Sequence, residues 1–120
     1  MFKEFEANAA YAKIQGENDF LKFINKLVVY LGREVSLAEQ NIEEEILFIS
    51  DSHKISRKHL KIFWDENQGK WLAQNLSKNY VYVNNTVLKS TDIPYVISPM
   101  ASIKIDECRF YFFQARPEEN

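Results

Sequence analysis

The chain has 120 residues, a length that suits one domain built around a single core. Hydrophobic residues make up 46% and include nine Phe, six Tyr and two Trp, which excludes a disordered chain; three Gly and three Pro leave no room for a long flexible linker. The formal net charge of −2 counts against generic nucleic-acid binding, and the single cysteine, Cys108, excludes an internal disulfide and a cysteine-rich zinc site.

Residues 1–10 read as a polar, Ala-rich lead-in. They lack the apolar core of a signal peptide, and no apolar run reaches the roughly 18 residues of a membrane span, so an intracellular domain is expected. Cys108 fits a reducing compartment as a packed strand residue. Tyr11-Ala12-Lys13-Ile14, ending at Gly16, reads as a short strand. Next, Phe20, Ile24, Leu27, Val28 and Leu31 recur at helical spacing, yet Leu27-Val28-Val29-Tyr30-Leu31 is β-branched and aromatic and stops at Gly32. A strand is expected over 27–31, after an ambiguous segment.

Residues 34–45 hold five glutamates and no basic residue. They read as a solvated acidic loop, with Ser36-Leu37-Ala38-Glu39 offering the spacing of a capped helical turn. Ile46-Leu47-Phe48-Ile49 follows as a buried strand. From residue 60 the pattern is strongly β. Leu60, Ile62 and Trp64 alternate with Lys61, Phe63 and Asp65, Asn67-Gln68-Gly69 turns the chain, and Lys70-Trp71-Leu72-Ala73 returns. Val81-Tyr82-Val83 turns at Asn84-Asn85 into Val87-Leu88. Ile103 and Ile105 alternate with polar neighbours, and Arg109-Phe110-Tyr111-Phe112-Phe113 is aromatic on both faces. Short strands about ten residues apart, with turns between, indicate an all-β sandwich. The triplets Asn75-Leu76-Ser77 and Asn84-Asn85-Thr86 match a glycosylation acceptor only in the way that chance provides.

Three strand-end loops carry polar donors. Gly32-Arg33 closes one strand, Ser56-Arg57-Lys58-His59 opens another, and Asn75-Leu76-Ser77-Lys78-Asn79 leads into Val81-Tyr82-Val83-Asn84. Arg33 and Arg57 can each offer a planar fork of N–H donors, Ser56 a hydroxyl, Lys78 a point charge and Asn79 an amide. Enzyme chemistry is poorly provided for: Cys108 has no adjacent base, and His53 and His59 do not make a metal cluster. Nothing ties His53 to a partner.

In this order and spacing the three pieces resemble the forkhead-associated (FHA) domain. That family's signature is Gly-Arg, then Ser-x-x-His, then an Asn-Gly step before a strand ending in Asn. The resemblance covers residues 11–116, leaving 117–120 as a tail, and is closest in flavour to the branch found beside forkhead DNA-binding domains. It implies a sandwich of about ten or eleven mostly antiparallel strands with ligand loops at one end. It also implies docking of a phosphothreonine-containing partner protein, with no cofactor, metal, membrane or direct nucleic-acid binding, and a nuclear setting.

Residue by residue, the resemblance has Arg33 and Ser56 grip the phosphate. Arg57 and Lys78 supply further phosphate or peptide contacts, and Asn79 bonds the peptide backbone. Gly32, His59 and Asn84 shape loops. A phosphothreonine, with roughly −1.5 to −2 charges and three acceptor oxygens, suits such donors. Tyr80 departs from the pattern, since it stands where the family has Gly. Either it bears a left-handed strain of about 1–2 kcal/mol, or the turn is rebuilt in an ordinary conformation, which the rarity of strained bulky residues favours. Tyr80 and the acidic run keep open an alternative, a domain of this fold that serves as a phosphate-independent structural contact.

Overall fold

The computed structural model describes residues 10–17, 19–34 and 45–115. Its first five strands are β1 (Ala12–Gly16), β2 (Leu21–Ile24), β3 (Val28–Arg33), β4 (Ile46–Ser50) and β5 (Leu60–Asp65). Six more follow: β6 (Lys70–Asn75), β7 (Val81–Val83), β8 (Thr86–Leu88), β9 (Tyr95–Ile97), β10 (Met100–Ile105) and β11 (Cys108–Gln114). They form a six-stranded sheet, ordered β2-β1-β11-β10-β7-β8, and a five-stranded sheet, ordered β4-β3-β5-β6-β9. All pairs are antiparallel except β3 with β4, whose register shifts between Gly32 and Arg33. The all-β sandwich expected from the spacing of strands and turns is the architecture found.

Period-two alternation decides which side chains meet between the sheets. Leu60 and Ile62 on β5, Ile103 and Ile105 on β10, and Phe110 and Phe112 on β11 all point inward and are buried. Trp71 on β6 is fully buried and ties the layers together. Its ring meets Trp64 edge-on at 5.7 Å within its own sheet and Phe112 at 5.9 Å across the sandwich. Edge-to-face contacts of this kind add to the large area that an aromatic side chain buries.

Turn chemistry follows the backbone demands. Asn84 and Asn85 both take positive φ, 50° and 66°, in the two-residue β7–β8 hairpin, the geometry that Asn tolerates best after Gly. Two strands were not legible as such. The ambiguous segment ahead of Val28 contains β2, an edge strand that hairpins onto β1 with Asp19 at φ 63°. Its partly helical spacing reflects edge placement, with only Ile24 fully buried. Strand β9, confined between Pro94 and Pro99, is too short to show a period. The capped turn expected at residues 36–39 lies outside the described residues.

Trp71→Ala should cost about 3–5 kcal/mol, and Trp71→Phe distinctly less, in denaturant melts of the two variants. A loss below about 1 kcal/mol for the alanine variant would contradict the bridging role.

Candidate functional site

The strand order brings one set of chain ends together. The C-terminal ends of β3, β4 and β6 and the N-terminal ends of β5 and β7 lie at the same end of the sandwich. Two loops, residues 51–59 and 76–80, therefore meet beside Arg33.

Gly32 is where the first loop touches the sheet. A Cβ built on it would sit 1.7 Å from the Arg57 carbonyl oxygen and 2.9 Å from that of Ser56, so no side chain fits. With the backbones this close, the Arg33 N–H donates to the Ser56 carbonyl at 3.0 Å and the His59 N–H to the Leu31 carbonyl at 2.9 Å. Ile55, fully buried, pins the loop into the core from the other side. The Arg33 guanidinium lies along this loop: Nε donates to the Ile55 carbonyl at 3.1 Å, and Nη1 lies 3.4 Å from His53 Nδ1. His53 thus has a partner in Arg33, contrary to the sequence reading, which could not see that Arg33 folds back over the loop.

Polar side chains join the two loops. Ser56 Oγ and Ser77 Oγ are 3.1 Å apart, and Asn79 Nδ2 donates to the Lys54 carbonyl at 2.9 Å. Asn75 organises the second loop from a buried position: Nδ2 donates to the Asn79 and Leu88 carbonyls, each at 2.8 Å, while Oδ1 accepts from the Ser77 N–H at 2.8 Å. Buried amides satisfied in this way rigidify the loops that they connect.

His59 is wholly buried beneath the first loop. Its Nδ1 accepts from the Ser56 N–H at 3.1 Å, which leaves the ring proton on Nε2, a buried atom with no partner of hydrogen-bonding geometry among the described residues. Burial lowers the pKa of this histidine, and the Asn79 main chain and Asp106 oppose that shift. A proton on Nδ1 would also set two donors against each other at Ser56.

Around this scaffold Arg57, Lys78 and Asn79 are exposed, while Arg33 and Ser56 are half-buried. Lys78 has no partner among the described residues. The structure thus brings Arg33, Ser56, Lys78 and Asn79 to adjoining loops, with Gly32 and His59 packed beneath. Asn84 sits apart, in the turn at the far end of β7, where Oδ1 accepts from the Ser102 N–H at 3.0 Å. Tyr80 keeps an ordinary backbone, since positive φ among the described non-glycine residues falls on Asp19, Asn84, Asn85 and Asp106. The turn is rebuilt, and the Lys89 ammonium lies 6.0 Å from the Tyr80 ring centre. Of the acidic run, Glu45 is at the distant end of β4, 3.9 Å from Lys26, and residues 35–44 lie outside the described residues.

The residues to which the sequence assigns no role in the site are Asn75, Ser77, Ile55 and His53. The first two belong to the third polar loop of the resemblance, and the signal for their structural role is local: Asn-x-Ser at a strand end is an Asx-turn pattern.

The eleven strands among the described residues form a sandwich whose fold known proteins share. The family model described as the FHA domain matches residues 29–106, and the chain belongs to that family. The fork-head transcriptional regulator FHL1 of Candida albicans is 31% identical over 115 residues, which cover 93% of this chain and 10% of that protein. The transcriptional activator FHA1 of Nicotiana tabacum is 25% identical over 107 residues, covering 89% of this chain and 50% of the relative. The chain therefore spans half or less of these relatives. Among solved structures, the N-terminal FHA domain of S. cerevisiae Rad53p in complex with a phosphothreonine peptide has a TM-score of 0.65 at 14% identity, covering 87% of this chain and 93% of that one. Mycobacterium tuberculosis EmbR in complex with a low affinity phosphopeptide has a TM-score of 0.65 at 18% identity, covering 92% of this chain and 26% of that one. At such identities the likeness is one of fold.

Because His59 is held neutral, folding loses stability as pH falls. Above about pH 6.5 neither state binds the proton; below it the unfolded histidine takes up the proton first, because burial sets the folded pKa lower. The melting temperature should therefore drop between pH 7 and pH 5.5, and His59→Asn, which keeps an acceptor for the Ser56 N–H, should flatten that slope. An equally steep slope in the variant would place the titration elsewhere.

Proposed function

We propose that this domain docks partner proteins through a phosphothreonine seated between Arg33, Ser56 and the 76–80 loop. The observation that carries the reading is the convergence of donors on two cross-linked loops at one end of a rigid sandwich. Arg33, Lys54, Arg57 and Lys78 belong to that end, and a phosphate dianion with three acceptor oxygens matches their charge and donor count. Arg33 and Ser56 contact the phosphate, Arg57 and Lys78 add charge, and Asn79 bonds the peptide backbone. Gly32 and His59 hold the loops in place. The known complexes of Rad53p with a phosphothreonine peptide and of EmbR with a phosphopeptide support this assignment. Binding without catalysis is the expected activity, and the naming of relatives as transcriptional regulators supports a nuclear setting.

One observation favours a second reading, a contact that does not depend on phosphate. Arg33 Nε, Ser56 Oγ and Asn79 Nδ2 all have partners inside the protein. A ligand would have to compete with those bonds or use the remaining donors. A hydrogen bond to a charged acceptor is worth about 1.5–3 kcal/mol against about 0.5–1.5 for a neutral one, so a dianion wins the exchange.

Calorimetric titration with a degenerate phosphothreonine peptide library and its unphosphorylated twin separates the two readings. The phosphorylated form should bind in the micromolar range, about −8 kcal/mol, and the twin should not bind. Arg33→Ala should remove most of the affinity, with Arg33→Lys a poor substitute for a planar fork. Ser56→Ala should weaken binding about ten- to a hundredfold. Equal affinity for both peptides would eliminate the phosphate-dependent reading.

A further inference from the structure

The outer face of the six-stranded sheet is unusual in composition. One outward row runs in register across four strands: Val87, Tyr82, Lys104 and Arg109. The next row puts Tyr111 opposite Ser102 and Gln15. Lys104 and Arg109 are direct cross-strand partners. Like charges so placed repel and destabilise a sheet. Among the described residues no carboxylate forms an ion pair with either one, including Asp106 and Glu107 in the adjoining turn. A sheet that served only as a solvated face would gain from a carboxylate at one of these positions.

The two cations do not stand on a flat surface. They border a hollow of about 390 Å³, shared with Ser102 and Asn85 and flanked by the tyrosines Tyr82 and Tyr111, which are 40% and 47% exposed. A pair of cations between two tyrosines suits an anionic side chain with apolar or planar neighbours. The hydroxyls and ammonium or guanidinium groups take the carboxylate, and the rings take the rest. A second hollow shares Tyr82 and Lys104 and reaches Lys54, Asn79 and Tyr80, with Asp106 the one carboxylate lining it, so the two surfaces are continuous with the loop cluster.

We infer that this face is a second docking surface, occupied by a carboxylate-rich extension of the same segment that presents the phosphothreonine. The inference rests on the phosphothreonine reading for its partner, but its surface is separate from the Arg33 site. Spacing fixes where the acidic residues fall. From Asn79 to Tyr82 is three residues, about 10 Å when extended, and from Tyr82 to Arg109 is two strand spacings, about another 10 Å. An extended segment covers that path in roughly six residues. A peptide is favoured over a nucleic acid because the hollow offers only two cations, too few to track a phosphate backbone, and because it adjoins the loops proposed to hold the phosphothreonine.

The test compares three phosphothreonine peptides by calorimetry at about 0.15 M salt. One is the core alone. The others carry four Asp/Glu residues, or four Gln residues, beginning about six positions from the phosphothreonine, made with the tail on each side in turn. On one side the acidic tail should strengthen binding about three- to tenfold over the Gln tail, the scale of a few partly exposed ion pairs. In the Lys104→Gln/Arg109→Gln double variant this ratio should fall below about twofold, and the variant should melt no lower than the parent because a repulsive pair is gone. No gain on either side, or an undiminished gain in the double variant, overturns the inference. If the core peptide itself does not bind, the phosphothreonine reading fails, and a free acidic peptide then tests the surface alone. Amide shifts at Tyr82, Lys104, Arg109 and Tyr111 support it, and their absence overturns it. Tighter binding of a single-stranded oligonucleotide, lost in the same variant, overturns the inference in favour of a nucleic-acid surface.

Discussion

The candidate site depends on one close approach, the contact of the β4–β5 loop with the backbone of β3 at Gly32. A methyl group at that position would overlap the Arg57 carbonyl, so glycine is required for lack of space and not for its freedom of φ. Removing the side chain lets two main chains bond directly. That bond fixes the height of Ser56 and the direction in which Arg33 leaves the strand. The register shift between Gly32 and Arg33 adds to this, since a bulge re-aims the side chain that follows it.

Once the first loop is seated, the second is held by polar groups more than by apolar packing. Asn75 and Ser77 are buried and satisfied; Ser77 meets Ser56, and Asn79, held by Asn75, reaches the Lys54 carbonyl. The arrangement is costly to disturb, because each buried amide or hydroxyl left without a partner loses about 1–3 kcal/mol. Such rigidity suits the proposed docking: donors held in place pay little ordering entropy when a ligand binds. Tyr80 fits the same logic. Its ordinary backbone conformation means that the loop reaches its shape without the left-handed step that a Gly would allow.

The sandwich was legible because alternation writes itself into the sequence wherever a strand has one buried face, as in Leu60–Asp65 and Met100–Ile105. Burial in β2 is one-sided by a single residue, and the three residues of β9 lie between two prolines without the Asn-Asn turn that marks the equally short β7 and β8, so neither shows in the pattern. Arg33, Ser56, Lys78 and Asn79 were legible as a set through the family spacing, and the structure brings them to adjoining loops. What joins them was not legible. The Ser56–Ser77 contact and the Asn79 bond to the Lys54 carbonyl link positions more than twenty residues apart, and a main-chain carbonyl acceptor leaves no trace in residue type. His53 was passed over for a related reason, because Arg33 reaches it only after folding back along the loop. The outer-face pair Lys104 and Arg109 was visible only as ordinary polar alternation until the strand register set them side by side.

The central claim is that the two loops form a preorganised phosphate site before any ligand is present. Amide and side-chain nitrogen shifts, followed as a phosphothreonine peptide and its unphosphorylated twin are added, test it most directly. The account predicts that the phosphorylated peptide moves the Arg33 Nε, Ser56, Arg57, Lys78 and Asn79 signals, that the buried Asn75 amide stays in place, and that the twin moves none of them. Equal shifts from both peptides, or large movement of Asn75 on binding, would contradict it.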